Sequence, residues 1–389
     1  MPEIKTIFCR FGLLGDNLEL KKNVILTIRN NLIQDIQVDQ SNREAQLHYP
    51  KCAVVPGFIN AHTHIGDSFA KDQGLNLSIQ ELVEPPYGLK HRLLSEISDE
   101  DLKKGLIFAI REMISCGITT FVDFRESGET GIDSLKQVLE NHPMNAIICG
   151  RPFPDLESFP KVLKKCEALG LSSSNIYSDI DLNYLKNNCK NSQKLILTHA
   201  SETKEERSFA LKKFEKSDIR RALEVLDADI LIHITWADEE DIKEIAEQHR
   251  AVVICPRSNS HLGVGYPPLL LLNKYKILTC LGSDNVMINN LNLFREMEFL
   301  FKSAREKFGI NCISSFEILK MVTINPARAL KLEQDIGSLN VGKMANFFLI
   351  DLNAPNLCPL TSLYDALILR ANPLNVKGVF IGGTLIYAQ

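Results

Sequence analysis

The sequence predicts an α/β protein, a (β/α)8 TIM-like barrel with a small composite β-sandwich formed by both termini. Between about residues 56 and 340, eight apolar segments alternate with amphipathic helical segments, and eight such units are what a closed parallel barrel requires. The residues on either side of this region resemble short strands joined by turns. We therefore expect a barrel over 56–340 and a composite β-sandwich built from 1–55 plus 341–389.

The two ends of the chain are predicted to pair with each other. Asn30-Asn31 and Gly382-Gly383 are expected to form tight hairpin turns, because Asn and Gly tolerate a positive φ. Strand-like segments flank both turns. At the start of the chain they cover 4–8, 24–28 and 32–38, and at its end 345–351 and 376–387.

The barrel strands are predicted from apolar runs that lie between helical segments. The run 251–255 is typical of a buried parallel strand, because it is continuously apolar. The predicted strands are 58–62, 119–123, 146–150, 175–178, 194–198, 229–233, 251–255 and 277–282. The predicted helices include 99–115, 158–169, 205–225 and 239–248.

Composition and charge argue against several classes of partner. The 389 residues carry a formal net charge of −4, so no overall basic field attracts nucleic acid or an anionic membrane. No apolar run reaches the roughly 18 to 20 residues of a membrane-spanning helix. The ten cysteines include no Cys-x-x-Cys pair, and the first residues lack the apolar segment of a signal peptide. We expect a cytoplasmic protein with neither nucleic acid nor membrane as a partner.

Four of the predicted strands end in side chains that can bind a metal. His62 and His64 are two residues apart on the first strand, so both side chains point to the same face. His199, His233 and Asp284 follow the fifth, sixth and eighth apolar runs. Because such a barrel carries its chemistry at the carboxyl ends of its strands, we expect these side chains to converge on one metal site. Four other histidines are interpreted as structural or solvent-facing: His48, His91, His142 and His249.

Several motifs support this interpretation through their order and spacing. They are 56–64 (PGFINAHTH), 117–120 (GITT), 199–202 (HASE), 255–259 (CPRSN), 282–285 (GSDN), 323–330 (TINPARAL) and 336–339 (IGSL). Together they resemble the amidohydrolase superfamily, in the branch that holds cytosine, guanine and adenosine-type deaminases, triazine hydrolases of the chlorohydrolase type and imidazolonepropionase. The resemblance implies the same barrel and composite β-sandwich that the strand pattern predicts.

The resemblance implies a mononuclear metal centre. Carried over by motif, His62, His64, His199 and Asp284 would bind one divalent ion. Imidazole and carboxylate ligands suit both Zn²⁺ and Fe²⁺; Zn²⁺ is expected and Fe²⁺ is the alternative. The predicted fourth strand, 175–178, contains no lysine, so the bridging carboxylated lysine of binuclear relatives is not expected.

The resemblance also implies catalytic roles for Glu202, His233 and Asp284. The ion would lower the pKa of a water from 15.7 toward roughly 7, and Asp284 would accept the water's proton. His233 would orient the attacking oxygen and stabilise the charge that develops. Glu202 would carry protons to the ring and to the departing amine. The alternative for Glu202 is an acid that stabilises the start of a helix.

Further residues are candidates for substrate contacts. Arg125 and Arg151 follow strand ends and suit a bidentate grip on a carboxylate or phosphate, which points to an anionic substrate. Ion pairing with neighbouring acids, Asp123, Glu126 or Asp155, is the alternative. The segment 71–92 is long enough to act as a lid. The remaining candidates for substrate contact are Asp67, Trp236, Asn259 and His261; for Asp67 the alternative is a solvated acid, and for Asn259 it is a turn residue.

The predicted function is hydrolytic deamination of a purine-, pyrimidine- or pterin-like heterocycle, with attack on a C=N carbon and release of ammonia. Hydrolysis of a cyclic amide, as in imidazolonepropionase, or of another C–N bond is the first alternative, because a proton shuttle serves both reactions. A catalytically inactive scaffold is the second alternative, and the complete set of site residues argues against it. A homodimer is expected, because dimers are common among similar proteins.

Overall fold

The computed structural model describes residues 5–39, 45–84, 87–153 and 155–389. Ile4 of the first predicted strand and Pro85 and Pro86 of the predicted lid lie outside the described residues. In chain order the strands are β1 (Lys5–Leu14), β2 (Glu19–Arg29), β3 (Leu32–Gln37), β4 (Leu47–Pro56), β5 (Phe58–His64), β6 (Ile118–Arg125), β7 (Asn145–Gly150), β8 (Ala168–Leu171), β9 (Leu195–Ala200), β10 (Ile230–His233), β11 (Ala251–Ile254), β12 (Leu278–Leu281), β13 (Asp284–Asn285), β14 (Phe347–Asp351), β15 (Val376–Ile381) and β16 (Thr384–Ala388).

Most of the longer helices begin at a side chain that caps their free N–H groups. Ser98 starts one helix in this way by accepting from the backbone N–H of Asp101, and Ser178 and Asp181 form a capping box at another. The helices are α1 (Ile79–Val83), α2 (Leu89–Glu96), α3 (Asp99–Ser115), α4 (Gly128–Asn141), α5 (Phe159–Lys165), α6 (Asp179–Asn191), α7 (Lys204–Phe214), α8 (Asp218–Arg221), α9 (Glu239–Glu247), α10 (Pro256–Leu262), α11 (Leu269–Lys274), α12 (Leu293–Phe308), α13 (Ser315–Lys320), α14 (Ile324–Ala329) and α15 (Leu363–Leu369).

The predicted barrel is confirmed. Strands β5 to β12 pair in chain order as neighbours, and each of these pairs is parallel. The ring closes because β13, which continues β12 after a break at Gly282 and Ser283, pairs in parallel with β5. Helices between the strands cover the outer face, as the alternating pattern predicted.

Three details of the predicted barrel are wrong. The fourth strand is β8, and not the predicted segment 175–178. A 3-10 turn, Ser174–Ile176, lies there instead, after β8. The helix predicted over 158–169 accordingly ends at Lys165. Ala and Leu in β8 favour helix locally, but pairing with β7 and β9 determines the conformation. The helix predicted over 205–225 is likewise divided into α7, α8 and a π-turn, Ala222–Leu226.

The two ends of the chain form one seven-stranded sheet with the order β16-β15-β14-β4-β1-β2-β3. Both predicted hairpin turns are confirmed: Asn30 and Asn31 have φ of 51° and 67°, and Gly382 and Gly383 have φ of 54° and 71°. Strand β4 lies between β14 and β1 and leads directly into β5 of the barrel. Helix α15, between β14 and β15, packs instead against α12 and α13. The bounds 1–55 plus 341–389 for this unit remain a prediction.

A cluster of three phenylalanine rings joins the sheet to the barrel. The ring centroid of Phe58 on β5 lies 4.7 Å from that of Phe348 on β14 and 5.4 Å from that of Phe294 on α12, and both pairs are edge-to-face. All three side chains are buried.

Among the described residues, no helix combines the length and the apolar character needed to cross a bilayer.

We expect Phe58→Ala to lower the free energy of unfolding by about 3 to 5 kcal/mol, because it leaves a cavity between the sheet and the barrel. Urea denaturation followed by circular dichroism measures the effect. Phe108→Ala is the matched control, since Phe108 is 61% exposed on α3. Equal stability of the two variants would contradict the structural importance of this cluster.

Candidate metal centre and active site

Four buried side chains converge at the carboxyl ends of the barrel strands. His62 and His64 extend from the end of β5, His199 from β9 and Asp284 from β13. The Nε2 atom of His62 is 3.3 Å from Oδ1 of Asp284, and Nε2 of His64 is 3.3 Å from Nε2 of His199. Nε2 of His64 is also 3.7 Å from Oδ1 of Asp284. Ligand atoms about 2.1 Å from a tetrahedral Zn²⁺ lie roughly 3.4 Å apart, so these spacings fit one shared cation.

The hydrogen bonds of the histidines leave nitrogen lone pairs free for a metal. Nδ1 of His64 lies 3.0 Å from Oε1 of Glu126, and Nδ1 of His199 lies 2.8 Å from the carbonyl oxygen of Leu171. Both partners accept hydrogen bonds, so the proton of each imidazole lies on Nδ1. Each Nε2 therefore keeps a free lone pair that can bind a metal. Both ring nitrogens of His62 are buried without a hydrogen-bond partner, and a bound cation would supply one.

Burial also prepares these groups for a cation. It lowers the pKa of His64 to about 3, assisted by the charge of Lys90. The pKa of His199 is held well below its usual value by burial and by the neighbouring histidines, and burial lowers that of His62. Burial opposes ionisation of Asp284, but the close approach of His62, at 3.3 Å, and the other nearby imidazoles hold its pKa well below the usual value. The set is therefore three neutral imidazoles and one carboxylate, which suits a divalent transition metal.

His233 occupies the next position around the ring, at the end of β10. Its Nδ1 lies 2.9 Å from Oδ1 of Asn259, whose amide nitrogen donates to Thr235 at 3.0 Å. The amide oxygen thus fixes the proton on Nδ1. The opposite atom, Nε2, is buried without a hydrogen bond, 3.7 Å from Oε2 of Glu202 and 4.0 Å from Oδ2 of Asp284. It points at the space between the two acids.

Glu202 is placed to act as an acid. It precedes Thr203, which caps α7 by accepting from the backbone N–H of Glu206, so Glu202 lies outside the helix and is not in its first turn. Its side chain is 13% exposed. Burial, followed by the charge of Asp284, raises the pKa of Glu202 well above its usual value, which favours the protonated form of the carboxyl group.

The start of α10 supports these catalytic groups. The hydroxyl of Ser258 donates to Oδ2 of Asp284 at 2.5 Å, and Asn259 holds His233 as described. Arg257 donates to Glu296 at 3.1 Å and so ties α10 to α12. Asn259 is fully buried; the described geometry makes it a partner of His233 and does not expose it to the substrate. Sequence reasoning missed Ser258, although it lies in the matched motif 255–259.

The two arginines differ in what they contact. Arg125 is 2% exposed and donates to Glu126 at 2.8 Å, with Asp123 at 3.3 Å; this is the ion-pair alternative. Arg151 is 17% exposed, and the nearest acidic oxygen, in Glu126, is 3.6 Å from its Nη2. Since Glu126 already accepts from other donors at 3.0 Å or less, the guanidinium of Arg151 retains donors for another ligand.

Three other candidates also lie near the mouth of the barrel. Asp67 is buried and accepts from the backbone N–H groups of Val286 and Met287 at 2.9 and 3.2 Å; it holds the loop after β13 and is not solvated. Trp236 is 39% exposed, and its indole N–H donates to a carbonyl of the loop after α10 at 2.7 Å. His261 is exposed on α10.

Sequence reasoning gave no role to Lys90. This lysine lies in the predicted lid, on α2, yet it is only 3% exposed. Its Nζ lies 2.6 Å from Glu126, 2.9 Å from Asn285 and 3.4 Å from Asp67. No local sequence pattern could have revealed this, because a lysine on a short helix is usually solvated.

Comparisons with known proteins agree with the family resemblance and the fold. A family model described as the amidohydrolase family matches residues 53–386. An uncharacterized protein of Methanocaldococcus jannaschii is 36% identical over 87% of this chain and 88% of its own length. A 5-methylthioadenosine/S-adenosylhomocysteine deaminase of Caldanaerobacter subterraneus is 29% identical over 96% of this chain and 88% of its own. The crystal structure of a zinc-bound adenosine deaminase from Xanthomonas campestris superimposes with a TM-score of 0.90 at 22% identity, covering 98% and 92% of the two chains.

His64→Ala should lose bound metal, because it removes one of four donors and frees Glu126 from its imidazole partner. The metal content of the purified variant, measured by plasma mass spectrometry, is expected to fall well below one ion per chain. His48→Ala is the control, since His48 is exposed on β4. Equal metal content in both variants would overturn this assignment of the ligands.

Proposed function

The chain belongs to the amidohydrolase family, and we propose that it is a metal-dependent deaminase. In the proposed reaction, water attacks a C=N carbon of a heterocycle and ammonia is released. One observation carries the proposal: the carboxyl group of Glu202, 13% exposed and 3.7 Å from Nε2 of His233, lies beside the imidazoles and the carboxylate of Asp284. Deamination needs an acid for the ring nitrogen and a base for water; the raised pKa of Glu202 suits the first role, and the lowered pKa of Asp284 suits the second.

The residues divide the proton transfers between them. A divalent ion bound by His62, His64, His199 and Asp284 would lower the pKa of a water from 15.7 toward roughly 7. Asp284 then accepts the proton that the water loses as its oxygen bonds to the ring carbon. Glu202 gives its proton to the ring nitrogen, and the unprotonated Nε2 of His233 accepts a hydrogen bond from the attacking water and orients it. When the carbon–nitrogen bond breaks, the amine takes the proton from Asp284 and leaves as ammonia, while the hydroxyl group on the ring carbon returns a proton to Glu202 and becomes the carbonyl.

A mononuclear centre with Zn²⁺, and Fe²⁺ as the alternative, is part of this proposal. The true fourth strand, β8, has the sequence ALGL and offers no lysine for a second metal. A homodimer is also proposed, supported by the exposed apolar side chains of Ile180 and Tyr184, which lie one turn apart on α6. A cytoplasmic location is proposed because all ten cysteines are free.

We further propose that the substrate is an aminopurine derivative with an anionic substituent. The relatives named as 5-methylthioadenosine/S-adenosylhomocysteine deaminases support the aminopurine ring. Arg151 supports the anionic group, because its guanidinium reaches the mouth of the barrel and is not saturated by Glu126. S-adenosylhomocysteine ends in a carboxylate and 5-methylthioadenosine does not, so the two compounds form a matched pair.

Ammonia release from a panel of aminopurines, aminopyrimidines and pterins tests the proposed reaction. We expect ammonia with wild-type protein, and a loss of kcat of about 10²- to 10⁴-fold in Glu202→Gln, with the metal retained. Substrate consumption without ammonia would favour cyclic amide hydrolysis instead. A wild-type protein with neither metal nor turnover would favour the inactive scaffold.

Arg151→Met tests the anionic substituent. Loss of a charged hydrogen bond, worth about 1.5 to 3 kcal/mol, should raise KM for S-adenosylhomocysteine about 10- to 100-fold and leave KM for 5-methylthioadenosine unchanged. If neither compound reacts, adenosine and its monophosphate replace them as the neutral and anionic pair. An unchanged KM for the anionic member would leave Arg151 as a structural partner of Glu126.

A further inference from the structure

We propose that Lys90 is a positioning residue that holds together the loops next to the metal ligands His64 and Asp284. Its ammonium contacts oxygens of Glu126, Asp67 and Asn285, which follow β6, β5 and the start of β13 respectively. The amide oxygen of Asn285 accepts a hydrogen bond from this ammonium, and carboxylate oxygens of Glu126 and Asp67 lie 2.6 and 3.4 Å from Nζ. Because Lys90 is only 3% exposed and is surrounded by these protein oxygens, its role is to hold the protein.

The first contact acts on His64. Oε1 of Glu126 lies 2.6 Å from Nζ of Lys90 and 3.0 Å from Nδ1 of His64. This oxygen therefore contacts both the ammonium of Lys90, on α2, and the imidazole of His64, on β5. Because Glu126 sets the orientation of the His64 ring, fixing the carboxylate also fixes the direction of Nε2.

The other two contacts act on the loop that carries Asp284. The side-chain oxygen of Asn285, the residue after Asp284, accepts a hydrogen bond from Nζ of Lys90 at 2.9 Å. The side-chain nitrogen of Asn285 lies 3.2 Å from Oδ1 of Asp284. Asp67, 3.4 Å from Nζ of Lys90, accepts from the backbone at Val286 and Met287. Lys90 therefore joins the loop after β5 to Asn285 and the loop after β13, and so connects the two strands that carry His64 and Asp284.

This arrangement changes the expected behaviour of the segment 71–92. Helix α2 packs against the turn Ile65–Ala70, and Lys90 anchors its first turn among buried polar groups. A buried ammonium is stable only while its partners remain in place, so this turn cannot swing with a lid. Residues 88–92 therefore take no part in a closing motion, and the metal centre and α2 form one unit.

The inference rests on the proposed metal centre, and Lys90→Met tests it with readouts that do not depend on the substrate. Metal affinity of the apo-protein, measured by competition with a chromophoric chelator, should fall about 10- to 100-fold, as for other groups that orient metal ligands. Hydrogen exchange at the backbone N–H groups of Val286 and Met287 should accelerate in the metal-free protein. Arg92→Met, on the exposed side of the same helix, is the matched control.

A double variant separates positioning from a general loss of structure. If Lys90 acts through Glu126, the effects of Lys90→Met and Glu126→Gln on metal affinity should be non-additive. Where Lys90→Met fails to fold, Lys90→Gln replaces it, since it keeps a donor without the charge. Affinity and exchange equal to those of Arg92→Met would overturn the inference. A wild-type protein that binds no metal would instead overturn the proposed function.

Discussion

The metal centre depends on how the barrel closes. Strand eight is interrupted: β12 pairs with β11, whereas β13 pairs with β5. This pairing places Asp284 opposite Thr63, between the two histidines of β5, so closure of the sheet delivers the carboxylate to the imidazoles. A Cβ atom on Gly282 would lie 2.7 Å from that of His62, and therefore the close approach requires glycine. Asp284 itself has a φ of 65°, a left-handed conformation that Asp tolerates better than most residues.

The imidazoles of His64, His199 and His233 impose the second constraint, because an acceptor fixes the proton of each on Nδ1. The acceptors come from neighbouring strands and helices: Glu126 after β6, the carbonyl of Leu171 at the end of β8, and Asn259 on α10. The side chains of the site therefore rely on nearly the whole circumference of the barrel. Strand β8 contributes only a backbone oxygen to this arrangement, yet without it the tautomer of His199 would be undetermined.

The sequence was sufficient where function follows from position along a strand. The alternation of apolar and helical segments predicted the barrel, and polar residues at strand ends predicted which side chains converge. It failed where long-range pairing overrides local preference, as in β8, whose Ala and Leu residues favour helix. It also failed for Lys90, whose partner Asn285 is 195 residues away. Arg125 shows a third limit: a strand-end arginine has the same pattern whether it faces a ligand or, as here, two buried acids.

The sheet formed by both termini has a consequence for the order in which the protein forms during synthesis. β4 is hydrogen-bonded to β14, with Pro56 opposite Phe347, and it leads directly into the strand that carries His62 and His64. Those histidines emerge from the ribosome long before Asp284, and longer still before the strand that completes the support of β4. The nascent chain therefore carries an incomplete set of ligands until Asp284 has been synthesised, and the strand that leads into those ligands lacks one of its neighbours until β14 follows.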